Sequence, residues 1–314
     1  MKYKVKVISP EKKDALMKKY YSSSVYERKA SIHGTCVKFF TDSMDFIRMW
    51  EDNFEPMPDW IRPHGRLFAL SGKKKQVMYE PLSKTAIITG HDYYGLVKSV
   101  ALAISADFME DFTSEHRRHS VHGSFVDKGG HGLAIVGPSG SGKTTLTYGL
   151  LRNSKFNFLT DDWFFVRLTK NHIPVYSSER NSYIRDDLAN TWPELTRKLL
   201  DIRLDNSRRA IVDVKSMFGS DRIRKTSNLK AFVMLARKKS LPHIQKLTAK
   251  EAVDFLLKND FCNPHQLVRT KKKVAKRKKF FQELFDKVPV FLLNTVETPT
   301  ESLARLKNIA DEYL

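Results

Sequence analysis

The fold is decided by one stretch of the sequence, Ile135-Val136-Gly137-Pro138-Ser139-Gly140-Ser141-Gly142-Lys143-Thr144-Thr145. It fits the phosphate-binding-loop pattern G-x-x-x-x-G-K-[ST], in which glycines let successive main-chain N–H groups turn towards phosphate oxygens. The apolar run at 132–136 predicts a strand that enters the loop. Residues 145–151 predict the helix that leaves it, and the dipole at the start of such a helix favours bound phosphate. The stretch therefore predicts a nucleotide site.

The loop pattern assigns chemical roles to two of its side chains. Lys143 would reach the β- and γ-phosphates of the nucleotide, and the hydroxyl of Thr144 would bind Mg²⁺. The predicted nucleotide-binding residues are Gly137, Pro138, Ser139, Gly140, Ser141, Gly142, Lys143, Thr144 and Thr145.

Composition points to a folded intracellular protein. The chain has 314 residues, of which 41% are hydrophobic, which is enough for a large buried core. No apolar run approaches the roughly 18 residues that a membrane span needs, and the alternating residues 1–7 lack the apolar core of a secretory signal. The two cysteines, Cys36 and Cys262, are far apart, which excludes a disulfide scaffold. We expect a cytoplasmic location and no membrane partner.

The net charge of +20 raises the question of a polyanionic partner. A basic surface can attract RNA, DNA, acidic lipid or an acidic protein, but a lysine-rich solvated surface would have the same composition. The densest block is residues 269–279, which could contact nucleic-acid phosphates or a phosphorylated substrate. We favour a solvated helix face or a mobile loop there, because the aromatic residues that base stacking would need are missing.

The pattern of elements predicts two domains. Residues 1–115 form an N-terminal α+β domain that supports the site or presents a substrate, and residues 116–314 alternate strands with helices, as α/β or mixed domains do. Predicted strands are 4–8, 35–40, 65–71, 76–80, 85–89, 120–127, 132–136, 157–160, 163–168, 173–177, 210–214, 229–235 and 290–294. Predicted helices are 10–20, 43–53, 94–110, 144–152, 193–200, 248–258, 276–285 and 299–313.

An acidic pair follows the loop. Asp161 and Asp162 come directly after the apolar run 156–159, so two adjacent carboxylates stand at the end of a predicted strand. Such a pair can hold the Mg²⁺ shell and act as the base towards an attacking hydroxyl. The alternative is an ordinary loop in which the carboxylates cap a turn. Upstream, a predicted hairpin would bring His122 near the phosphates, although a lone histidine is usually structural.

Four motifs in register resemble the HPr kinase/phosphorylase family and, more distantly, the ATP-dependent phosphoenolpyruvate carboxykinases. They are His122-Gly123, Val126-Asp127, the loop with its strand, and Leu159-Thr160-Asp161-Asp162. The family shows H-G-x-x-V-D, an apolar strand, G-x-S-G-x-G-K-S and a strand that ends in D-D, at nearly the same spacing. The resemblance is strong from His122 to Asp162 and loose over residues 115–310.

The resemblance implies a kinase domain with a mixed sheet and flanking helices, ATP and Mg²⁺ as cofactors, and a homo-oligomer. It places Lys143 on the phosphates and both Thr144 and Asp161 at the metal. It makes Asp162 the base for the acceptor hydroxyl and puts His122 beside the transferred phosphoryl group.

The sequence also departs from that family. Pro138 stands where the family usually carries Asp, and Thr144 replaces Ser. Residues 177–185 replace the Arg-Gly-Leu-Gly segment of HPr kinases. In that segment Glu179 could be a second metal carboxylate and Arg180 or Arg185 could clamp a phosphate, or the segment is a surface loop. These differences weaken the expectation that HPr itself is the substrate.

Two further segments carry candidate residues. Arg222 and Arg224 precede the predicted strand 229–235 and could supply transition-state charge, a role that arginine fills in other phosphoryl-transfer enzymes. Residues 263–266, Asn-Pro-His-Gln, could contact substrate through His265 and Gln266, but we favour a capping turn at the start of a helix.

The first hypothesis from the sequence is an ATP- and Mg²⁺-dependent kinase that acts on a hydroxyl group of a protein serine, a small molecule or a nucleic acid. The alternative is a nucleotide-dependent RNA- or DNA-binding protein, or an RNA kinase that uses the basic surface. A carboxykinase is less favoured, because we cannot place the further metal-binding Lys and His residues that its chemistry needs.

Overall fold

The computed structural model describes residues 3–112, 116–185, 188–195 and 209–314. Two large mixed β-sheets with helices on both faces build most of this part of the chain. The predicted α/β class with a mixed sheet and flanking helices is confirmed. None of the helices in the described ranges combines the length and the apolar composition needed to cross a membrane.

The first sheet is built from residues 5–89. Its strands are β1 (Val5–Val7), β2 (Tyr26–Ile32), β3 (Thr35–Thr41), β4 (Glu55–Pro56), β5 (Gly65–Leu70), β6 (Gln76–Glu80) and β7 (Thr85–Thr89), in the spatial order β1-β6-β7-β5-β3-β2-β4. Its helices are α1 (Pro10–Tyr21), α2 (Met44–Asn53) and α3 (Tyr94–Asp111). Successive strand side chains point to opposite faces. Phe40 therefore packs with α1, whereas Phe39 packs with α2 and α3.

The second sheet holds the loop. Its nine strands are β8 (Arg118–His122), β9 (Ser124–Lys128), β10 (His131–Val136), β11 (Asn157–Thr160), β12 (Trp163–Arg167), β13 (Pro174–Ser177), β16 (Thr226–Ala236), β17 (Ile244–Leu247) and β18 (Val290–Asn294). Strands β14 (Asn181–Arg185) and β15 (Arg209–Asp213) pair with each other in a separate small sheet. Helices are α4 (Lys143–Leu151), α5 (Leu188–Thr191), α6 (Val214–Phe218), α7 (Ala249–Lys258), α8 (Lys271–Phe285) and α9 (Pro299–Tyr313). Helices α4 and α9 cover one face, and α7 and α8 cover the other.

The second sheet is bent at the position of the acidic pair Asp161–Asp162. Strand β8 pairs with β12 and strand β9 pairs with β11, all antiparallel, so one long two-stranded ribbon is bent at Gly123 and at Asp161–Asp162. The main-chain N–H of Gly123 donates to the carbonyl oxygen of Asp162 at 2.9 Å across the bend. A Cβ on Gly123 would lie 2.6 Å from the carbonyl oxygen of Ile135, so only glycine fits there. The predicted single strand 120–127 was therefore wrong.

Other predictions need correction. Strands β2, β4, β14 and β17 and the short helices α5 and α6 were missed. In β2 and β17, polar residues hid the alternation that marks a half-buried strand. Helix α8 begins at Lys271, five residues before its predicted start, with the Thr270 side chain capping the N–H of Lys273. In the predicted helix 193–200, residues 193–195 form a 3₁₀ turn and residues 196–200 lie outside the described residues. The predicted domain boundary at 115 also falls on residues that are not described, so it stays a prediction.

The basic run lies on α8, and one side of that helix binds the acidic end of α3. Arg277 is buried and pairs with Glu110 through two contacts of 2.9 Å, Nε to Oε1 and Nη2 to Oε2. The Lys273 ammonium lies 2.8 Å from Asp107 Oδ1 and 2.7 Å from Asp111 Oδ1. The other side of the helix is exposed and carries Lys271, Lys272, Lys278 and Lys279. The run therefore serves in part to join α8 to α3, and we do not propose an RNA partner for it.

We expect Arg277→Met to lower the free energy of unfolding by about 3 kcal/mol, because it removes the guanidinium that bonds both oxygens of the buried Glu110 carboxylate and leaves the longer 3.7 Å contact with Lys273. Chemical denaturation followed by circular dichroism measures this loss. The matched control is Lys278→Met, an exposed residue of the same helix, for which we expect a change below about 0.5 kcal/mol. Equal effects of the two substitutions would contradict the pairing of α8 with α3.

Candidate active site

The loop joins β10 to α4 with the geometry that its glycines permit. Gly140 and Gly142 adopt left-handed φ values of 81° and 96°, and a Cβ on either would meet open space. Gly137 is different, because a Cβ there would lie 2.9 Å from the carbonyl oxygen of Leu235 on β16. The glycines thus allow the turns of the loop and its close approach to the sheet, with open space left beside Gly140 and Gly142.

Lys143 begins α4 and turns back over the loop. Its ammonium group donates to the carbonyl oxygens of Gly137 at 2.7 Å and Pro138 at 3.2 Å. Burial lowers the pKa of Lys143, while the carboxylates of Asp161 and Asp162 act in the opposite direction. The hydroxyl oxygen of Ser141 is buried and has no hydrogen-bond partner among the described residues. An unpartnered donor and the space beside the glycines fit a bound phosphate group.

Asp161 lies against the loop. Its carboxylate accepts a hydrogen bond from the Ser124 hydroxyl at 2.9 Å, and the Thr144 hydroxyl lies close enough to lower the pKa of the carboxyl group. The pKa of Asp161 is raised to about 7, mainly by burial and also by the charge of Asp162, although the two hydroxyls and Lys143 act to lower it. The predicted metal residues Thr144 and Asp161 are therefore adjacent.

Asp162 faces an ammonium group and an imidazole ring. Its Oδ2 lies 2.7 Å from the Nζ of Lys98, and its Oδ1 lies 3.1 Å from the Nε2 of His122. Burial would raise the pKa of Asp162, but Lys98 and His122 together hold it well below its ordinary value. The side chain keeps about a third of its surface exposed. Asp162 is thus an ionised carboxylate that a substrate can reach.

Lys98 is the residue that the sequence analysis missed. It lies on α3, in the N-terminal part of the chain, and its side chain is only 3% exposed. The same ammonium group lies 2.7 Å from Oε2 of Glu179, whose pKa burial raises. The sequence did contain a signal: the run 96–104 is apolar apart from Lys98 and Ser99, and a buried lysine is normally paired with a carboxylate.

A strained turn closes the other side. Asp260, Phe261 and Cys262 have φ values of 50°, 54° and 53°, and three successive left-handed residues without glycine cost on the order of 1–3 kcal/mol each. The turn carries Cys262 close enough to affect Lys143, and the following His265 packs 5.7 Å, ring centre to ring centre, from His122. Burial lowers the pKa of His265 to about 3, so this imidazole is neutral. His265 therefore belongs to the wall behind His122.

The structure does not bring the two candidate arginines to the loop. The guanidinium of Arg222 donates to main-chain carbonyl oxygens of Leu151, Asn153 and Phe156, at the far end of α4. Arg224 pairs at 3.7 Å with the buried Asp127, near the start of β10. Because both are occupied at the opposite end from Lys143, we do not place either in the site.

Glu179 also differs from its predicted role. Lys98 lies between its carboxylate and that of Asp162, so a cation already occupies the position of the proposed second metal. In the described ranges, no group of three or more His, Cys, Asp or Glu side chains could hold a metal ion. In the same segment, Arg180 pairs with Glu55 instead of turning to the loop, and the side chain of Arg185 lies outside the described residues.

The candidate site thus consists of a strand, a glycine-rich loop, a helix and two adjacent carboxylates. A model of the family described as HPr Serine kinase C-terminal domain matches residues 114–275, slightly more than half of the chain. The chain belongs to this family, so the resemblance seen in the motifs is confirmed.

Curated relatives are more distant. The chain is 28% identical to an HPr kinase/phosphorylase of Lachnoclostridium phytofermentans over 118 residues, which are 38% of this chain and 32% of the relative. It is 25% identical to that of Xanthomonas oryzae pv. oryzae over 237 residues, 71% of this chain and 62% of the relative. The matches thus span less than two thirds of these relatives. A solved Hpr(Ser) kinase/phosphatase from Coxiella burnetii matches at 15% identity and a TM-score of 0.36, covering 62% of this chain and 99% of that one.

Proposed function

We propose that this chain is a kinase that transfers the γ-phosphoryl group of ATP to a hydroxyl group, with Mg²⁺ as cofactor. The observation that carries the proposal is the closeness of the loop to the acid pair, since the Thr144 hydroxyl and the Lys143 ammonium group both act to lower the pKa of the Asp161 carboxyl group. The neighbouring Asp162 also lies close enough to Lys143 to raise the pKa of its ammonium group. Membership of the HPr Serine kinase C-terminal domain family supports the same chemistry.

Main-chain N–H groups of residues 137–145 and the Lys143 ammonium would hold the phosphates, and the free Ser141 hydroxyl would add a donor. Thr144 and Asp161 would hold Mg²⁺, which when bound neutralises charge on the phosphates. When it binds the phosphates, the Lys143 ammonium group would lose its hydrogen bonds to the carbonyl oxygens of Gly137 and Pro138.

Asp162 would serve as the base. Its carboxylate would accept the proton of the acceptor hydroxyl as the hydroxyl oxygen attacks the γ-phosphorus and the bond from that phosphorus to the bridging oxygen of the leaving ADP breaks. The proton would stay on the carboxyl group until product leaves. A strongly raised pKa is unnecessary, because the hydroxyl becomes acidic only as its bond to phosphorus forms. His122 would hold the carboxylate through its Nε2, 3.1 Å from Oδ1. Most of the rate enhancement would come from positioning and charge stabilisation.

The N-terminal domain, residues 1–115 in our division, would complete the site through Lys98 on α3. In this proposal, both domains contribute residues to one active site. A homo-oligomer and a cytoplasmic location remain expectations from the family resemblance and from composition.

The acceptor can be found with γ-³²P-labelled ATP and a fractionated cell extract. We expect purified chain to transfer label to a protein serine or a small molecule, as a phosphate ester that survives acid treatment. Acid-labile label would point to a phosphorylated histidine or carboxylate, against the hydroxyl acceptor. Label released only as inorganic phosphate would contradict the kinase proposal, and label in the RNA fraction would favour the RNA-kinase alternative.

A further inference from the structure

Lys98 occupies an unusual position for a lysine. It lies in α3 among buried apolar neighbours, including Val97, Val100 and Ala101, and its side chain is 3% exposed. A buried ammonium group is costly unless carboxylates compensate its charge. The compensating groups come from two different segments of the second sheet region, Asp162 after β11 and Glu179 after β13.

The geometry of these contacts is that of a bridging cation. The Lys98 Nζ lies 2.7 Å from Asp162 Oδ2 and 2.7 Å from Glu179 Oε2. Two carboxylates that converge on one point form a donor set that a divalent cation would also accept. In many phosphoryl-transfer sites such positions hold a second metal. Here the position is taken by the Lys98 side chain, which is buried on a helix packed between the two sheets.

A second metal and the ammonium group cannot share this space. Two cations a few ångströms apart in a buried site repel each other strongly, since the local dielectric screens charge far less than water does. The carboxylates available to an incoming metal are therefore reduced to Asp161, which lies close to the Thr144 hydroxyl and the Lys143 ammonium group of the loop.

We propose that Lys98 is a positioning residue that takes the place of a second divalent cation, so that the site binds a single Mg²⁺ at Thr144 and Asp161. This inference rests on the proposed kinase function. The test is independent of that function, because the number of bound metal ions can be measured whether or not the chain transfers phosphate.

The test is the number of Mn²⁺ ions bound per chain, measured by electron paramagnetic resonance at pH 8 without nucleotide. We expect wild type to bind no Mn²⁺ at the Asp162–Glu179 pair. Lys98→Met, which keeps the length and apolar stem of the side chain, should gain one Mn²⁺ site. That site should disappear again in the double variant Lys98→Met/Glu179→Gln.

The matched control is Lys276→Met on α8, whose ammonium group donates to the carbonyl oxygen of Glu110 away from the loop. It should bind Mn²⁺ as wild type does. Folded Lys98→Met that gains no Mn²⁺ would overturn the proposal.

A second measurement applies even if Lys98→Met does not fold. With a non-hydrolysable ATP analogue present, Glu179→Gln should bind Mn²⁺ with the stoichiometry and affinity of wild type. Loss of a bound Mn²⁺ in Glu179→Gln would show that Glu179 is a metal ligand, and would overturn the role given to Lys98. Failure of wild type to transfer phosphate from ATP would overturn the proposed function instead.

Discussion

Asp162→Asn should abolish phosphoryl transfer and leave the affinity for ATP almost unchanged. Asparagine has the same shape but cannot accept the proton of an attacking hydroxyl, and general-base catalysis is typically worth about 10²–10⁴-fold in rate. Lys98 and His122 hold the pKa of Asp162 well below its ordinary value, so its carboxylate is ionised and ready to accept a proton. We therefore expect kcat to fall at least about 10²-fold.

Transfer from labelled ATP gives the rate, and titration with a fluorescent ATP analogue gives the affinity. The control is Asp254→Asn, the same change at an exposed position of α7, which should leave both values as in wild type. If Asp162→Asn lost less than about threefold in kcat, Asp162 could not be the base. If ATP affinity collapsed together with kcat, the residue would act in nucleotide binding instead.

Lys143→Met should weaken ATP binding by about 10- to 100-fold and reduce transfer further. The estimate follows from the charged hydrogen bonds that the ammonium group would make with phosphate oxygens, each worth about 1.5–3 kcal/mol. Methionine keeps the length of the side chain, and the pairs that hold Asp162 do not involve residue 143. The loss should therefore appear in the contacts with phosphate.

The same analogue titration measures this effect, with thermal unfolding to show that the chain remains folded. Lys155→Met is the matched control, since Lys155 is exposed just beyond α4 and should not contact nucleotide. Full ATP affinity in folded Lys143→Met would mean that nucleotide binds elsewhere, and that the loop does not hold its phosphates.

Features that depend on neighbours in sequence were predictable. The bounds of β6, β7, β11, β18 and α9 agree with the predicted ones, because alternation, helical periodicity and capping residues are local signals. The loop and the acid pair could be found for the same reason, since the single helix α4 separates them. Gly123 was quoted as part of a motif, but its role as the bend of the ribbon requires knowledge of the Ile135 carbonyl that lies behind it.

Features that depend on distant contacts were not predictable. Lys98 lies on α3, which follows the first sheet, whereas Asp162 lies in the second sheet. The packing of α3 against β8 brings the two residues together. The candidate role of Arg222 was a guess from proximity to a strand, and the carbonyl oxygens it binds come from residues 151–156. From its charge, the basic run was predicted to be a solvated surface. Its pairing with α3 could not be foreseen, because the acidic partners lie over 160 residues away in sequence.

The central claim is that the loop and Asp162 act together on ATP and a hydroxyl acceptor, and its most direct test compares wild type with Asp162→Asn in the labelled-extract experiment. We predict acid-stable label on one acceptor with wild type, and at least about 10²-fold less label with Asp162→Asn at equal ATP occupancy. Equal labelling of that acceptor by the two proteins, or no acid-stable label with wild type, would contradict the claim.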